Sequence, residues 1–144
     1  MVVALTVLHI ALAAAWFGHK LLVPADIKAS IRGETAPGPF LGRLQRAERV
    51  GQVTGLGTLL AGMGLAFAVD ASTVGYGVWI GATLVVATIV IGAVFARPVS
   101  KRLEAAVTSG DRVAATVAGQ RLNRLLGVES LLWLGALTGM VLGS

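Results

Sequence analysis

The stretch VGYGVWIGATLVVATIVIGAVFA, from Val74 to Ala96, carries no charged side chain over its whole length. A helix that spans a bilayer needs about 20 predominantly apolar residues, so this stretch predicts a transmembrane helix. Three further stretches satisfy the same criterion, and they are Val2 to Val23, Val50 to Val69 and Leu122 to Gly143. The sequence therefore predicts an all-α integral membrane four-helix bundle that forms a single transmembrane domain over residues 1–144.

The composition supports a membrane protein and excludes several other classes. Charged residues make up 13% of the chain, whereas soluble domains contain about 25%. The absence of cysteine excludes disulfides, thiolate metal sites and cysteine nucleophiles. The first span lacks the basic start and the cleavage site of a removable signal peptide, so we expect it to remain as a membrane anchor.

Basic residues lie in or beside two of the three connections between the predicted spans, and the connection Asp70 to Thr73 has none. The positive-inside rule places such loops in the cytoplasm. We therefore predict two basic cytoplasmic loops, with both termini outside, in a bacterial-type inner (plasma) membrane. The net charge of +5 indicates contact with anionic lipid headgroups and not with nucleic acid. The basic residues are Lys20, Lys28, Arg32, Arg43, Arg46, Arg49, Arg97, Lys101, Arg102, Arg112, Arg121 and Arg124.

The two basic loops differ in their predicted structure. The first, Pro24 to Arg49, contains the glycine- and proline-rich run Gly33 to Pro39, which prevents a continuous helix. The other consists of two helical extensions, Pro98 to Val107 and Asp111 to Arg124. Asp111 is the expected N-cap of the second extension, so we predict a long helical hairpin that projects into the cytoplasm.

Small residues recur at four-residue spacing within the spans, at Gly51 and Gly55 and again at Gly135, Gly139 and Gly143. This spacing lets helix backbones approach closely. Two interpretations are open. The glycines can pack helices together within one bundle, or the face formed by the last three can mediate homo-oligomerisation.

Ionisable side chains inside a span are costly and indicate a functional site. His9 and His19 are ten residues apart, or about 15 Å along a helix, so they cannot share one small ion. His19 and Glu129 are expected at similar depth and to pair, with Glu48 and Arg49 close enough to join them. This polar cluster is either a structural clamp or a ligand or proton site, and Glu129 is its best single candidate.

The intramembrane histidine His9 has three kinds of possible partner. These are a hydroxyl such as that of Thr83 or Thr138, a backbone carbonyl, or a metal or haem centre. Trp16 and Trp133 are expected near one depth in the first and fourth spans. They either pack together or line a flat apolar pocket suited to a porphyrin.

The first span carries Leu8 and His9, then Trp16 after six residues and Pro24 after seven more. This pattern resembles the first helix of the HemJ-type protoporphyrinogen oxidases, and it is similar to the copper-resistance-D-like membrane proteins. Glu48–Arg49, at the start of a glycine-rich helix, resembles the beginning of the second helix in the HemJ type. The topology agrees over most of the chain, and the motifs cover about 17 residues of it.

The resemblance implies a bound haem b or porphyrin, with His9 as the axial ligand or catalytic histidine and with roles for Glu48 and Glu129. Two basic residues of the HemJ type are missing, because Ala25 follows Pro24 where that family has arginine and the third span contains no lysine. The expected function is therefore redox or tetrapyrrole handling by a divergent, oxidoreductase-like member.

Two other functions stay open. The first is a non-enzymatic accessory or scaffold subunit of a larger or homo-oligomeric membrane complex. The second is an ion, metal or small-solute transporter that uses His19, Glu48 and Glu129. The sequence has no nucleophile elbow, P-loop or HExxH motif, so it gives no independent support for a hydrolase or a nucleotide-binding enzyme.

Overall fold

The computed structural model describes residues 1–69 and 75–142, and these residues form helices joined by short turns. A π-helical turn, Gly92–Ala96, joins the third and fourth helices into one continuous segment. The predicted short connection Asp70 to Thr73 lies outside the described residues. The helices are α1, Val2–Ile31; α2, Pro37–Ala68; α3, Tyr76–Ile91; α4, Arg97–Ser109; and α5, Arg112–Leu142.

Four helical segments are long and apolar enough to cross a membrane, which confirms the predicted all-helical class with four potential spans. They contain 30 to 34 residues each, so at about 1.5 Å per residue they are about 45 to 51 Å long. The hydrocarbon core of a bilayer is only about 30 Å thick. Each segment is therefore about 15 to 21 Å longer than the hydrocarbon core.

The segments run alternately up and down. His9 packs against Gly62 and His19 packs against Gly51, so residue numbers fall along α2 as they rise along α1. The same criterion shows that α5 is antiparallel to both α1 and α3, through the pairs Lys20–Glu129, Ile27–Gly119, Gly81–Met140 and Gly92–Glu129. This topology brings the α1–α2 turn and the α4–α5 turn, with their basic residues, to the same end of the bundle.

The first basic loop is shorter than predicted. Helix α1 continues through Pro24 to Ile31, and α2 begins at Pro37. Proline removes one backbone hydrogen bond from a helix, but the turns after Pro24 bury Ile27 completely. That burial explains why the helix continues. The break itself falls within the predicted glycine- and proline-rich run, where Gly33 adopts a left-handed conformation with φ of 77°.

The turn between α4 and α5 has the predicted position. Gly110 adopts a φ of 74°, a conformation that glycine reaches without steric cost. The next residue, Asp111, accepts a hydrogen bond from the backbone N–H of Ala114 at 2.9 Å through its side-chain oxygen Oδ1. This contact is the expected N-cap, and it begins α5 immediately after the turn.

The apolar core is concentrated at the basic end of the bundle. A smaller cluster of Trp16, Val85 and Ala136 lies towards the opposite end, where most large apolar side chains on the outer surface are exposed, as expected for contact with lipid. We call the basic end the base. Its buried cluster contains Val23, Ile27, Phe40, Leu44, Ala96, Val99, Leu103, Ala106, Ala115, Ala118 and Leu122.

The described glycines at four-residue spacing face neighbouring helices of the same bundle. A Cβ atom added to Gly51 or Gly55 would meet the rings of His19 or Trp16 on α1. Added to Gly135 or Gly139, it would meet residues of α3 at 3.7 Å. These contacts agree with packing within one bundle. Gly143 lies outside the described residues, and self-association stays a prediction.

Candidate functional site

A cavity of about 370 Å³ lies between the four segments, where the base meets the lipid-facing half of the bundle. Ligand pockets in proteins commonly have volumes of about 300 to 1,000 Å³. All four segments contribute to its walls, as does the π-helical turn. The polar residues around it are His19, Lys20, Glu48, Gln52, Thr88, Arg97, Ser100 and Glu129.

A buried ion pair forms one wall of this cavity. The ammonium group of Lys20 on α1 donates a hydrogen bond to the carboxylate of Glu129 on α5. Their exposed fractions are only 6% and 2%. The same ammonium group lies 4.8 Å from the ring centroid of Trp16, which adds a cation–π contact. Together these contacts fix the lysine inside the bundle, so it does not reach the headgroup region.

His19 does not form the expected pair with Glu129. Its Nδ1 atom lies 3.4 Å from the Ala15 carbonyl oxygen, and its ring packs against Gly51. Successive residues of a helix point about 100° apart, and α1 is rotated so that Lys20 faces α5 while His19 faces α2. Glu129 was predicted at the depth of His19, and it lies at the depth of the next residue of α1. Its partner is therefore Lys20 and not His19.

The structure brings three of the four residues of the predicted polar cluster to the cavity. His19, Glu48 and Glu129 all line it. Arg49 does not line it, and its side chain is exposed. Residues 48 and 49 are neighbours on α2, so only one of them can face the interior. The sequence pattern alone does not show which one does so.

Three buried acceptor atoms on the cavity walls have no hydrogen-bond partner among the described residues. They are Oε1 of Glu129, Oε1 of Glu48 and Oγ of Ser100. Buried polar atoms are nearly always hydrogen-bonded, and leaving one unsatisfied costs about 1 to 3 kcal/mol. The three atoms therefore call for hydrogen-bond donors that the surrounding side chains do not supply.

The π-helical turn lies next to one of these buried acceptors. Gly92, at the start of the turn, lines the wall opposite Glu129. A Cβ atom at Gly92 would lie 3.3 Å from Oε1 of Glu129, so the absence of a side chain lets this buried oxygen pack closely against the turn. Single π-helical turns occur often at functional sites. A glycine within an apolar run is the only sequence signal at the position of this turn.

The residues expected to hold haem or a porphyrin do not gather around one cavity. His9 packs between α1 and α2, and its Nδ1 lies 2.9 Å from the backbone carbonyl of Thr58. Trp133 stacks on Phe17, with ring centroids 4.3 Å apart. Of the three expected residues, Trp16 alone lines the cavity described above. His9 and Trp133 do not line this cavity, and haem or porphyrin binding at His9 stays a prediction.

No family model, curated protein or solved structure matches the chain. The resemblance of the first span to the HemJ type therefore stays a prediction. The functional argument depends on the cavity and on the residues that line it.

Proposed function

We propose that this protein is a multi-pass membrane transporter for a small polar or ionic solute, which binds in the cavity beside Glu129. One observation carries the proposal. The cavity combines a buried carboxylate, a second acidic residue and a buried hydroxyl, and all three present unpaired acceptor atoms. Ionisable residues at such a depth typically mark solute or ion pathways in membrane proteins.

The proposed orientation places the base in the cytoplasm and both termini outside a bacterial-type inner membrane. The positive-inside rule supports this orientation, because the basic residues of the chain lie at or near the base. Arg97 lines the cavity and is also exposed. The cavity therefore extends to the part of the bundle that would face the cytoplasm.

Transport is tested by reconstituting the purified protein into liposomes and recording currents on a solid-supported membrane after concentration jumps. The solutes are Na⁺, K⁺, an organic ammonium ion, an organic anion and a pH step. We expect at least one class to produce a current that is reduced at least tenfold in Glu48→Gln. The matched control is Asp26→Asn, because Asp26 pairs with Arg43 outside the cavity.

The expected results differ between the functions considered. Currents that are equal in wild type and Glu48→Gln would contradict a role for the cavity. A complete lack of current with every solute would contradict transport and favour the scaffold function. The Asp26→Asn variant retains the wild-type current if the loss in Glu48→Gln arises at the cavity.

A redox or tetrapyrrole function at His9 is the second candidate, and one contact favours it. When Nδ1–H of His9 donates to the Thr58 carbonyl, Nε2 carries a free lone pair. A backbone acceptor on one ring nitrogen commonly orients a histidine that ligates a metal through the other. A bound haem would supply redox chemistry, and His9 is the residue that would hold it.

A further inference from the structure

We propose that the solute bound in the cavity is a hydrophobic organic ammonium ion that carries N–H donors, such as a protonated arylalkylamine. This inference rests on the proposed function and specifies the chemistry of its solute. It follows from the charge, the hydrogen-bonding atoms and the apolar walls of the cavity.

The buried charges of the cavity leave one negative charge uncompensated. Lys20 and Glu129 neutralise each other in their ion pair. Glu48 forms no ion pair with any described residue. Arg97 also lines the cavity, but its side chain is exposed and forms no ion pair with Glu48. A ligand with a single positive charge would complement the carboxylate of Glu48.

The hydrogen-bonding atoms of the cavity favour a ligand that donates. The unpaired atoms are two carboxylate oxygens, on Glu48 and Glu129, and the hydroxyl oxygen of Ser100. An alkylammonium group has three N–H donors and no acceptor, so it can donate to the two carboxylates and to the lone pairs of the Ser100 hydroxyl. An anionic ligand would face two carboxylates and is disfavoured on the same argument.

The remaining walls favour an apolar substituent on the ligand. Six large side chains, from α1, α2, α3 and α5, contribute apolar surface to the cavity, and they are Trp16, Leu44, Leu56, Ile89, Leu122 and Leu126. Bare metal ions gain nothing from such walls, whereas an aryl or alkyl group gains about 25 cal/mol for each Å² that it buries. The cavity is also far larger than a single bare ion requires.

The proposal is tested by isothermal titration calorimetry of the full-length protein in lipid nanodiscs, with empty nanodiscs subtracted. The probes are phenethylammonium, uncharged phenethyl alcohol and phenethyltrimethylammonium, which has the charge but no N–H donor. We expect phenethylammonium to bind at least tenfold more tightly than either comparator. Similar affinities for all three probes would overturn the inference.

Two variants examine the site without removing the buried ion pair. Gly92→Ala places a methyl group 3.3 Å from Oε1 of Glu129, and Glu48→Gln removes the uncompensated charge. We expect each to weaken phenethylammonium binding at least tenfold. The control Gly127→Ala adds the same methyl group where nothing lies within 4 Å, and it should bind as wild type does. Unchanged affinity in both site variants would overturn the inference.

The binding and transport results fail in distinguishable ways. If phenethylammonium does not bind but another solute gives currents that need Glu48, the ammonium inference is wrong and the transport proposal stands. If phenethylammonium binds in the expected order but no solute gives a current, the site is correct and the transport proposal is wrong.

Discussion

The ammonium group of Lys20 is hydrogen-bonded to the carboxylate of Glu129, and this contact ties α1 to α5 inside the bundle. Both side chains are almost completely buried. A buried charge that loses its partner costs about 3 to 5 kcal/mol, whereas replacing both members by apolar residues is often neutral. The pair therefore makes the two helices energetically dependent on each other.

Removing one member of this pair should destabilise the fold far more than removing both. We expect Lys20→Met alone to lower the free energy of unfolding by about 3 to 5 kcal/mol. The double variant with Lys20→Met and Glu129→Leu should lie within about 1.5 kcal/mol of wild type. Unfolding in mixed micelles, followed by circular dichroism, measures both. Equal losses in the single and double variants would contradict the pairing.

The contact between α3 and α5 depends on a glycine. A Cβ atom at Gly81 would lie 2.9 Å from the Ala136 carbonyl oxygen and closer still to Met140. We expect Gly81→Ala to cost about 1 to 3 kcal/mol, because overpacking forces the backbones apart. The matched variant Gly135→Ala, whose Cβ would lie 3.7 Å from Leu84, should be neutral or stabilising. Thermal unfolding of the two variants in detergent checks this difference.

The orientation of the bundle can be measured with single cysteines, because the natural chain has none. Thr108→Cys places a thiol at the base. Tyr76→Cys places one at the start of α3, which lies at the opposite end of the bundle. We expect a membrane-impermeant maleimide to label the first only in inverted vesicles and the second only in right-side-out vesicles. The opposite pattern would contradict the proposed cytoplasmic base, and the cysteine-free chain measures background labelling.

Absorption spectroscopy tests the haem or porphyrin prediction for His9 directly. The resemblance of the first span predicts a Soret band in the purified protein, oxidised and then reduced with dithionite, and its loss in His9→Ala. A colourless wild type after haemin addition would contradict the prediction. Loss of the contact to the Thr58 carbonyl alone should lower stability by about 0.5 to 1.5 kcal/mol, so the variant should remain folded.

Core substitutions should be costly at the base and mild on the lipid-facing surface. Leu103 is fully buried at the base, whereas Leu131 is 70% exposed on α5. We expect Leu103→Ala to cost about 2 to 5 kcal/mol, because it creates a cavity. Leu131→Ala should cost less than about 1 kcal/mol, since its side chain has few protein contacts to lose. Chemical unfolding in detergent compares the two, and similar losses would contradict the uneven core.

The sequence predicted the spanning helices well because long apolar runs have few alternatives in a folded chain. It ended the first span at Val23, whereas the helix continues to Ile31. The burial of Ile27 depends on α5, which is distant in sequence. Local signals therefore identified the Gly33 break but not the length of helix that precedes it.

The candidate site was predictable only in part. The sequence identified Glu129, His19 and Glu48 because charges are rare within apolar segments. It did not identify Lys20 as the partner of Glu129, since the rotation of a helix depends on its neighbours. The π-helical turn at Gly92 was also missed, because its only sequence signal was a glycine within an apolar run.

The position of the apolar core has a thermal consequence. The four segments are longer than the hydrocarbon core of a bilayer, so we expect the base to lie in water, where its buried cluster is held together by the exclusion of water, a force that weakens on cooling. In the lipid-facing half, apolar side chains stay in a hydrocarbon environment, and helix contacts depend on van der Waals packing. Cooling therefore loosens one end of the molecule and leaves the other largely unaffected.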